Sequence, residues 1–383
     1  MNSTALKSRL DCVIAQAIQS QRLVGAVVMV ALHGEVVYHQ AAGFADRESH
    51  QPMTENTLFR LASVSKPIVS TVAMALITQG KLALDDDIQT ELPQFRPTLP
   101  DGQPARITVR QLLSHTAGLS YRFFEPDENG PYARAGVSDG MDSSSISLAE
   151  NLRRLSDVPL LYTPGTSWGY SLAVDVLGAV LEQVCKQPLA EVVKTQLTDP
   201  LSMHDTGFFA HDPARLATPY VSDVPQPHRL REGEKVAAFD NTVGIEYSPS
   251  RALDAQAYPS GGAGMVSSAA DVLKMLEMLR LGGAPLISSA LVDEMGRDQT
   301  RGAELPESPG LGFGLGFSVL RDPQAAASPE STGTWRWGGA YGHSWFVDRT
   351  AGLSVVALTN TLYEGMSGAF VTELRDAVYG AQS

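Results

Sequence analysis

Ser63 and Lys66 stand three residues apart in Ser63-Val64-Ser65-Lys66, at the head of a long apolar segment. Three residues is nearly one helical turn, so both side chains project from one face. A serine hydroxyl is a weak nucleophile at neutral pH and needs a nearby base. A lysine supplies one when burial lowers its pKa from ~10.4 toward neutrality. Pro67, Ile68, Val69 and Val72 provide the apolar surroundings for that burial. Pro67 falls in the first turn, where a missing N–H costs little. A serine opening a helix also turns its own amide and the helix dipole toward a developing oxyanion. Lys66 is the only lysine that follows a serine by three. The same spacing also fits an N-capping serine followed by a solvated lysine.

The elements that must hold this pair follow from hydrophobic spacing. Residues 62–79 read as a long apolar helix that Gly80 stops. Leu6, Leu10, Val13, Ile14 and Ala17 recur at helical spacing over 5–19. Val24–Leu32 and Glu35–Ala42 read as a strand pair around a His33-Gly34 turn. Near the other end, Thr334–Asp348 and Leu353–Leu358 are strand-like and joined through Arg349–Gly352, and Glu364–Tyr379 reads as a closing helix. Helix–strand–strand at one end and strand–strand–helix at the other predict one antiparallel sheet built from both. The expected fold class is α+β: a sheet domain of residues 1–84 and 256–383 with flanking terminal helices, interrupted by a mainly helical insertion of residues 85–255. Helices are expected around 147–156 and 171–186 of that insertion. Residues 211–260 and 321–334 show no sustained period, and loops of that length are commonly walls or lids of sites.

Composition excludes several function classes. Lys+Arg 29 against Asp+Glu 42 leaves a net charge of −13 over 383 residues. Such a balance suits neither a phosphate backbone nor an anionic membrane surface. The longest apolar run near the start, Val24 to Leu32, is far short of the ~20 residues of a membrane helix. No charged-then-apolar-then-small signal layout precedes it. Cys12 and Cys185 are expected to be buried thiols rather than a disulfide framework. No HExxH or CxxC occurs, so neither a metal nor a cofactor is expected. The chain reads as soluble and cytoplasmic.

Several longer motifs carry a family resemblance. Ser-x-x-Lys follows Leu58-Phe59-Arg60-Leu61-Ala62, and Leu112-Leu113-Ser114-His115-Thr116-Ala117-Gly118-Leu119 and Tyr162-Thr163-Pro164-Gly165 lead into Tyr170-Ser171. Tyr258-Pro259-Ser260-Gly261-Gly262-Ala263-Gly264-Met265, Trp337-Gly338-Gly339-Ala340-Tyr341-Gly342-His343-Ser344-Trp345-Phe346-Val347-Asp348 and Leu358-Thr359-Asn360-Thr361 complete the set. Together, from about residue 6 to 380, they resemble the serine β-lactamase and penicillin-binding superfamily, its class C branch, and most of all the family VIII carboxylesterases. The resemblance implies a β-lactamase/transpeptidase-like fold. It implies Ser63 as acyl-accepting nucleophile, Lys66 as neighbouring base, and Tyr170 as a second-box tyrosine that shares or relays the proton. It places the backbone amides of Ser63 and Ala340 in the oxyanion hole, each worth about 3 kcal/mol in acyl-transfer sites. Tyr121 would line the acyl pocket. Trp337, Gly338, Gly339 and His343 would lie on the substrate side of the third box.

Two departures bear on the substrate. β-Lactamases usually carry Tyr-x-Asn in the second box, and the third place here is Leu172. Their third box usually opens with Lys or His, and here it opens with Trp337. Losing an amide and a cation removes anion recognition and makes the wall apolar. Apolar burial contributes ~25 cal/mol per Å² and an unpaired carboxylate costs several kcal/mol, so neutral esters gain over anionic β-lactams. The resulting expectation is a serine carboxylesterase for short, uncharged acyl esters, with a small-molecule ester as its substrate partner and transacylation as a side reaction. The alternative is a class C-type β-lactamase or a D-alanyl-D-alanine carboxypeptidase.

Competing patterns are weaker. Gly165-Thr166-Ser167-Trp168-Gly169 matches the GxSxG nucleophile elbow, which needs a strand before it and a helix after it. Pro164-Gly165 precedes it and helical pattern resumes only near Ser171, so a loop that positions Tyr170 explains it better. His115 is expected to be structural, in a turn after a helix. The Gly261–Gly264 run lacks the lysine and strand–helix frame of a phosphate loop and reads as a tight turn. Asp85-Asp86-Asp87 reads as a solvated helix start.

Overall fold

The computed structural model describes residues 3–381, and in it the two ends of the chain meet in one sheet. Six helices matter here: α1 (Ser3–Gln19), α2 (Ser65–Thr78), α3 (Leu148–Ser156), α4 (Ala173–Cys185), α5 (Ala269–Arg280) and α6 (Ala369–Tyr379). The early strands are β1 (Gly25–Leu32), β2 (Glu35–Asp46) and β3 (Gln51–Pro52). The late ones are β4 (Leu311–Phe313), β5 (Ser318–Leu320), β6 (Trp335–Gly339), β7 (His343–Asp348) and β8 (Leu353–Thr359). Sheet order is β4-β5-β6-β7-β8-β1-β2-β3, with every neighbouring pair antiparallel. The join between early and late chain is the β1–β8 ladder, where Ala26 opposes Thr359 and Leu32 opposes Leu353.

β1 is apolar along its whole length because both faces of the sheet are covered. Successive side chains alternate between faces. Ala26, Val28 and Val30 pack with Leu6, Leu10 and Ile14 of α1 and with Phe370, Leu374 and Val378 of α6. Val27 and Met29 join a larger cluster on the opposite face, with Val72 of α2, Val176 of α4, Val272 of α5 and Val356 of β8. That second cluster holds residues of both the sheet segments and the 85–255 segment, Leu112 and Leu152 among the latter. We propose that 85–255 is an insertion in the topological sense only, since it shares this core.

Four local differences from expectation have physical causes. The stretch 334–348 is two strands, β6 and β7, because Gly342 turns the chain at φ +108. A Cβ there would lie 2.3 Å from the Thr361 carbonyl oxygen, so only glycine fits. The closing helix also breaks: Glu364–Ser367 forms a single turn, Gly368 is extended, and α6 starts at Ala369. Glu364 stabilises the break, accepting the Phe370 amide at 3.1 Å and pairing with Arg22 at 2.7 Å. Strands β4 and β5 have three residues each and offer no alternation to read, while α5 lies outside the expected elements although Ser268 caps it through the Asp271 amide. Cys12 is exposed and Cys185 only half-buried, both free, which corrects the expectation of buried thiols: they sit on the outer side of α1 and at the last residue of α4.

Among the described residues no helix is long and apolar enough to cross a membrane, and no group of His, Cys, Asp and Glu is placed to hold a metal ion. Asp85 pairs with Arg110 and Asp87 caps the turn Ile88–Thr90, consistent with a solvated start.

Candidate active site

The site is assembled at the head of α2. Phe59–Arg60 pairs with Val266–Ser267, and the Leu61 amide donates to Met265 O at 2.8 Å. Ala62 then takes φ +46, a left-handed conformation that costs a non-glycine residue about 1–2 kcal/mol. The strained step swings the chain into the 3-10 turn Ala62–Val64, which runs on into α2. Ser63 lies in its first turn, where amides have no intrahelical acceptor.

Lys66, one turn on, is fully buried. Its Nζ donates to Gly262 O at 2.8 Å and to Ser63 Oγ at 3.3 Å, and lies over the rings of Tyr170 at 4.6 Å and Tyr121 at 5.3 Å. Burial lowers its pKa to about 7, against the opposing pull of Asp175 and Asp139. An amine of that kind is half-neutral near physiological pH and is a competent proton acceptor.

Tyr170 arrives from the other side of the core. Its hydroxyl donates to Ser63 Oγ at 2.5 Å. Burial holds the phenol above its ordinary pKa, so it is protonated at neutral pH. The segment Gly165–Gly169 that presents it has no strand before it, and Ser167 is exposed. Two bonds pin this loop: the Gly165 amide to Thr116 O at 2.7 Å and the Gly169 amide to His115 O at 2.9 Å. His115 supports the same region. Burial keeps its ring neutral, Nδ1 meets Ser171 Oγ at 3.2 Å, and the ring packs 5.0 Å from that of Tyr170.

Ala340 follows the last residue of β6 and lines the same cavity as Ser63. Gly339 makes that approach possible, since a Cβ there would lie 2.3 Å from Leu61 O. The cavity, about 810 Å³ in all, extends from Ser63 past Trp337 to Phe346 of β7 and Leu374 and Arg375 of α6. A chain of rings forms its wall: Trp337 to Tyr170 at 5.4 Å, Tyr170 to Tyr121 at 5.3 Å, Tyr121 to Phe123 at 4.5 Å, and Phe124 to Phe239 at 5.3 Å. Gly338 also lines it.

Three residues expected on the substrate side lie elsewhere. His343 is buried, donates from Nε2 to Arg60 O at 2.7 Å and packs edge-on against Phe59, and burial lowers its pKa to about 4. It therefore braces the strand before Ser63 as a neutral ring and does not line the cavity. Gly339 faces the Leu61 backbone rather than the cavity. Leu172 is fully buried in the core, so the apolar wall is Trp337's work and not Leu172's.

Other residues around the site were invisible to motif reading. Asp139 lines the cavity, accepts the Arg122 and Phe123 amides at 3.0 and 3.1 Å, and is raised to about 7 by burial. It thereby fixes the loop that carries Tyr121, Phe123 and Phe124. Phe239 and Trp168 complete the aromatic wall from two further loops. The Gly261–Gly264 run is a turn, as expected, and it also lets the chain pass against α4: a Cβ on Gly261 would lie 2.7 Å from Val174 O.

Comparison with known proteins places this geometry in a family. The Beta-lactamase family model matches residues 10–379. Esterase EstB of Burkholderia gladioli is 49% identical over 380 residues, covering 99% of this chain and 96% of that protein. The solved structure of EstCE1, described as a hydrolase with promiscuous acyltransferase activity, superposes with a TM-score of 0.95 at 49% identity over 99% of both chains. Unliganded simvastatin synthase LovD from Aspergillus terreus matches at a TM-score of 0.75 and 20% identity, over 97% of each chain, and shares the fold. The chain belongs to the Beta-lactamase family, with the α+β fold of the β-lactamase and transpeptidase group.

Proposed function

We propose that the protein is a serine carboxylesterase that hydrolyses short, uncharged acyl esters through a Ser63 acyl-enzyme and transfers the acyl group to alcohols as a side reaction. The observation that carries this reading is Ser63 Oγ held between Tyr170 Oη at 2.5 Å and Lys66 Nζ at 3.3 Å, in a cavity walled by aromatic rings. The names of the two relatives at 49% identity, an esterase and a hydrolase with acyltransferase activity, support it.

In the proposed cycle Ser63 Oγ attacks the ester carbonyl carbon and its proton passes to Lys66 Nζ. The Ser63 and Ala340 amides receive the negative oxygen. As the tetrahedral species collapses, the alcohol oxygen leaves with the Tyr170 proton, and the lysine ammonium returns a proton to the phenolate. Water then adds to the acyl-enzyme by the same route in reverse, giving the acid and free Ser63. An alcohol in place of that water gives a new ester.

Lys66 is the base in this scheme because burial moves its pKa down to about 7 while it moves the Tyr170 phenol up. The pH dependence follows: kcat/KM should rise with pH through a midpoint near that value, as the amine loses its proton. A profile flat across this range, measured with a neutral ester, would remove Lys66 from the role.

Selectivity for neutral acyl groups rests on Trp337. Its indole lies between Tyr170 and Phe313, at 5.4 and 5.1 Å between ring centres, where a third-box cation would stand. The Trp337→Lys variant should therefore raise kcat/KM for an anionic β-lactam relative to p-nitrophenyl acetate by about tenfold or more. An unchanged ratio would show that Trp337 does not set it. Intact-mass detection of an acyl adduct, followed by mapping of the modified peptide to Ser63, tests the reading as a whole.

A further inference from the structure

Behind the nucleophile lies a charged side chain that the cycle above leaves unused. Asp175 sits in the first turn of α4 within Ala173-Val174-Asp175-Val176-Leu177 and is 1% exposed. Its Oδ1 accepts the Ser260 hydroxyl at 2.6 Å. Its Oδ2 is buried with no side-chain hydrogen-bond partner, and the Gly262 amide favours the carboxylate. A buried carboxylate oxygen is costly to leave unpaired, so what it faces matters. A Cβ on Gly262 would lie 2.5 Å from Asp175 Oδ2 and 3.4 Å from both Lys66 Nζ and Tyr121 Oη. A side chain at Gly262 would collide with Asp175 Oδ2, so the bare backbone there lets three polar groups converge on it, and Lys66 Nζ is anchored by Gly262 O at 2.8 Å.

We propose that Asp175, fixed by Ser260, is a positioning residue that acts through Lys66, facing it across the Gly262 backbone as the counter-charge that sets the pH range in which the amine accepts the Ser63 proton. The proposal rests on Lys66 being the base of an acylating Ser63. Opposite charges interact strongly when both are buried, as Lys66 and Asp175 are. Asp175 is the leading charge acting on Lys66, favouring the ammonium against burial; burial raises the Asp175 pKa, and the Ser260 hydroxyl and then Lys66 oppose that rise in favour of the carboxylate. The remaining charged or titratable groups around the pair offer no substitute. Tyr121, Tyr170 and Tyr258 are raised by burial and stay neutral, and His115 is lowered and stays neutral. Asp139 acts on Lys66 more weakly, and Arg251, which acts on Asp175, is engaged by Asp142 O and Tyr258 O.

Asp175→Asn keeps the shape of the side chain and removes its charge. The acid limb of kcat/KM for p-nitrophenyl acetate should move to lower pH by about one unit or more, because the ammonium has lost its counter-charge. Ser260→Ala should move it the same way by less, since the carboxylate then loses a donor. Limbs that coincide with wild type in both variants, while turnover merely falls, would overturn the proposal and leave Asp175 a packing residue. Labelling with a fluorophosphonate separates this from the underlying reading. A wild-type protein that carries no label at Ser63 defeats both. A Ser63 labelled in Asp175→Asn with the wild-type pH dependence of labelling defeats the Asp175 proposal alone.

Discussion

Ser63→Ala should abolish ester hydrolysis, by about four orders of magnitude or more in kcat, and leave the fold intact. The oxygen it removes is the one atom that both Lys66 Nζ and Tyr170 Oη contact. Nothing that shapes the backbone there depends on that hydroxyl. Leu61 is held by Met265 O and Val64 by Leu61 O, both through amides. The variant should therefore melt cooperatively, close to wild type, while failing to form an acyl adduct visible by intact mass. Turnover near the wild-type rate would sink the assignment of the nucleophile.

Lys66→Met should lower kcat/KM by about a thousandfold and, at the same time, raise stability. The second effect follows from linkage. The folded-state pKa of Lys66, about 7, lies below the value of roughly 10.4 expected in an unfolded chain. Stability tied to this group is therefore fully present above the unfolded value and is lost as pH falls through about 7. The cost of keeping a buried proton there is several kcal/mol, at about 1.4 kcal/mol per pKa unit. Methionine is unbranched, one atom shorter than lysine, and carries no charge. Losing the bond to Gly262 O, and leaving Asp175 without the charge that favours its carboxylate, offset part of the gain. Thermal melts should show the variant above wild type at ~pH 6, with the advantage shrinking toward ~pH 9. A variant that melts lower at the acidic end would contradict the account of Lys66 as a desolvated amine.

What the sequence made legible was local. Ser63 and Lys66 belong to one helical turn, and their spacing with the apolar residues that follow defines both the geometry and the burial. The strand pair at one end and the helices at both ends carry strong periods, and the sheet appears where they meet. Tyr170 and Ala340 could be found only through the family resemblance, since nothing in their own neighbourhoods says that they approach residue 63. His343 and Gly339 show the weakness of motif reading: a residue in a functional box can serve the backbone beneath the site instead of the cavity. Asp175 had a readable signal. It is the one charged residue in Ala173–Leu181, an otherwise apolar stretch of helix, and a lone charge in such a place implies a buried partner. The aromatic wall had no comparable signal, because its rings come from separate irregular loops.

The β1–β8 ladder has a consequence for the nascent protein. Gly25–Leu32 is synthesised well before its partner Leu353–Thr359. Until Leu353–Thr359 emerges, one edge of a wholly apolar strand has no complement. Such an edge is a template for association with other chains. Biogenesis, rather than the finished molecule's stability, is then the stage at which this architecture is most exposed to chaperone supply and expression rate.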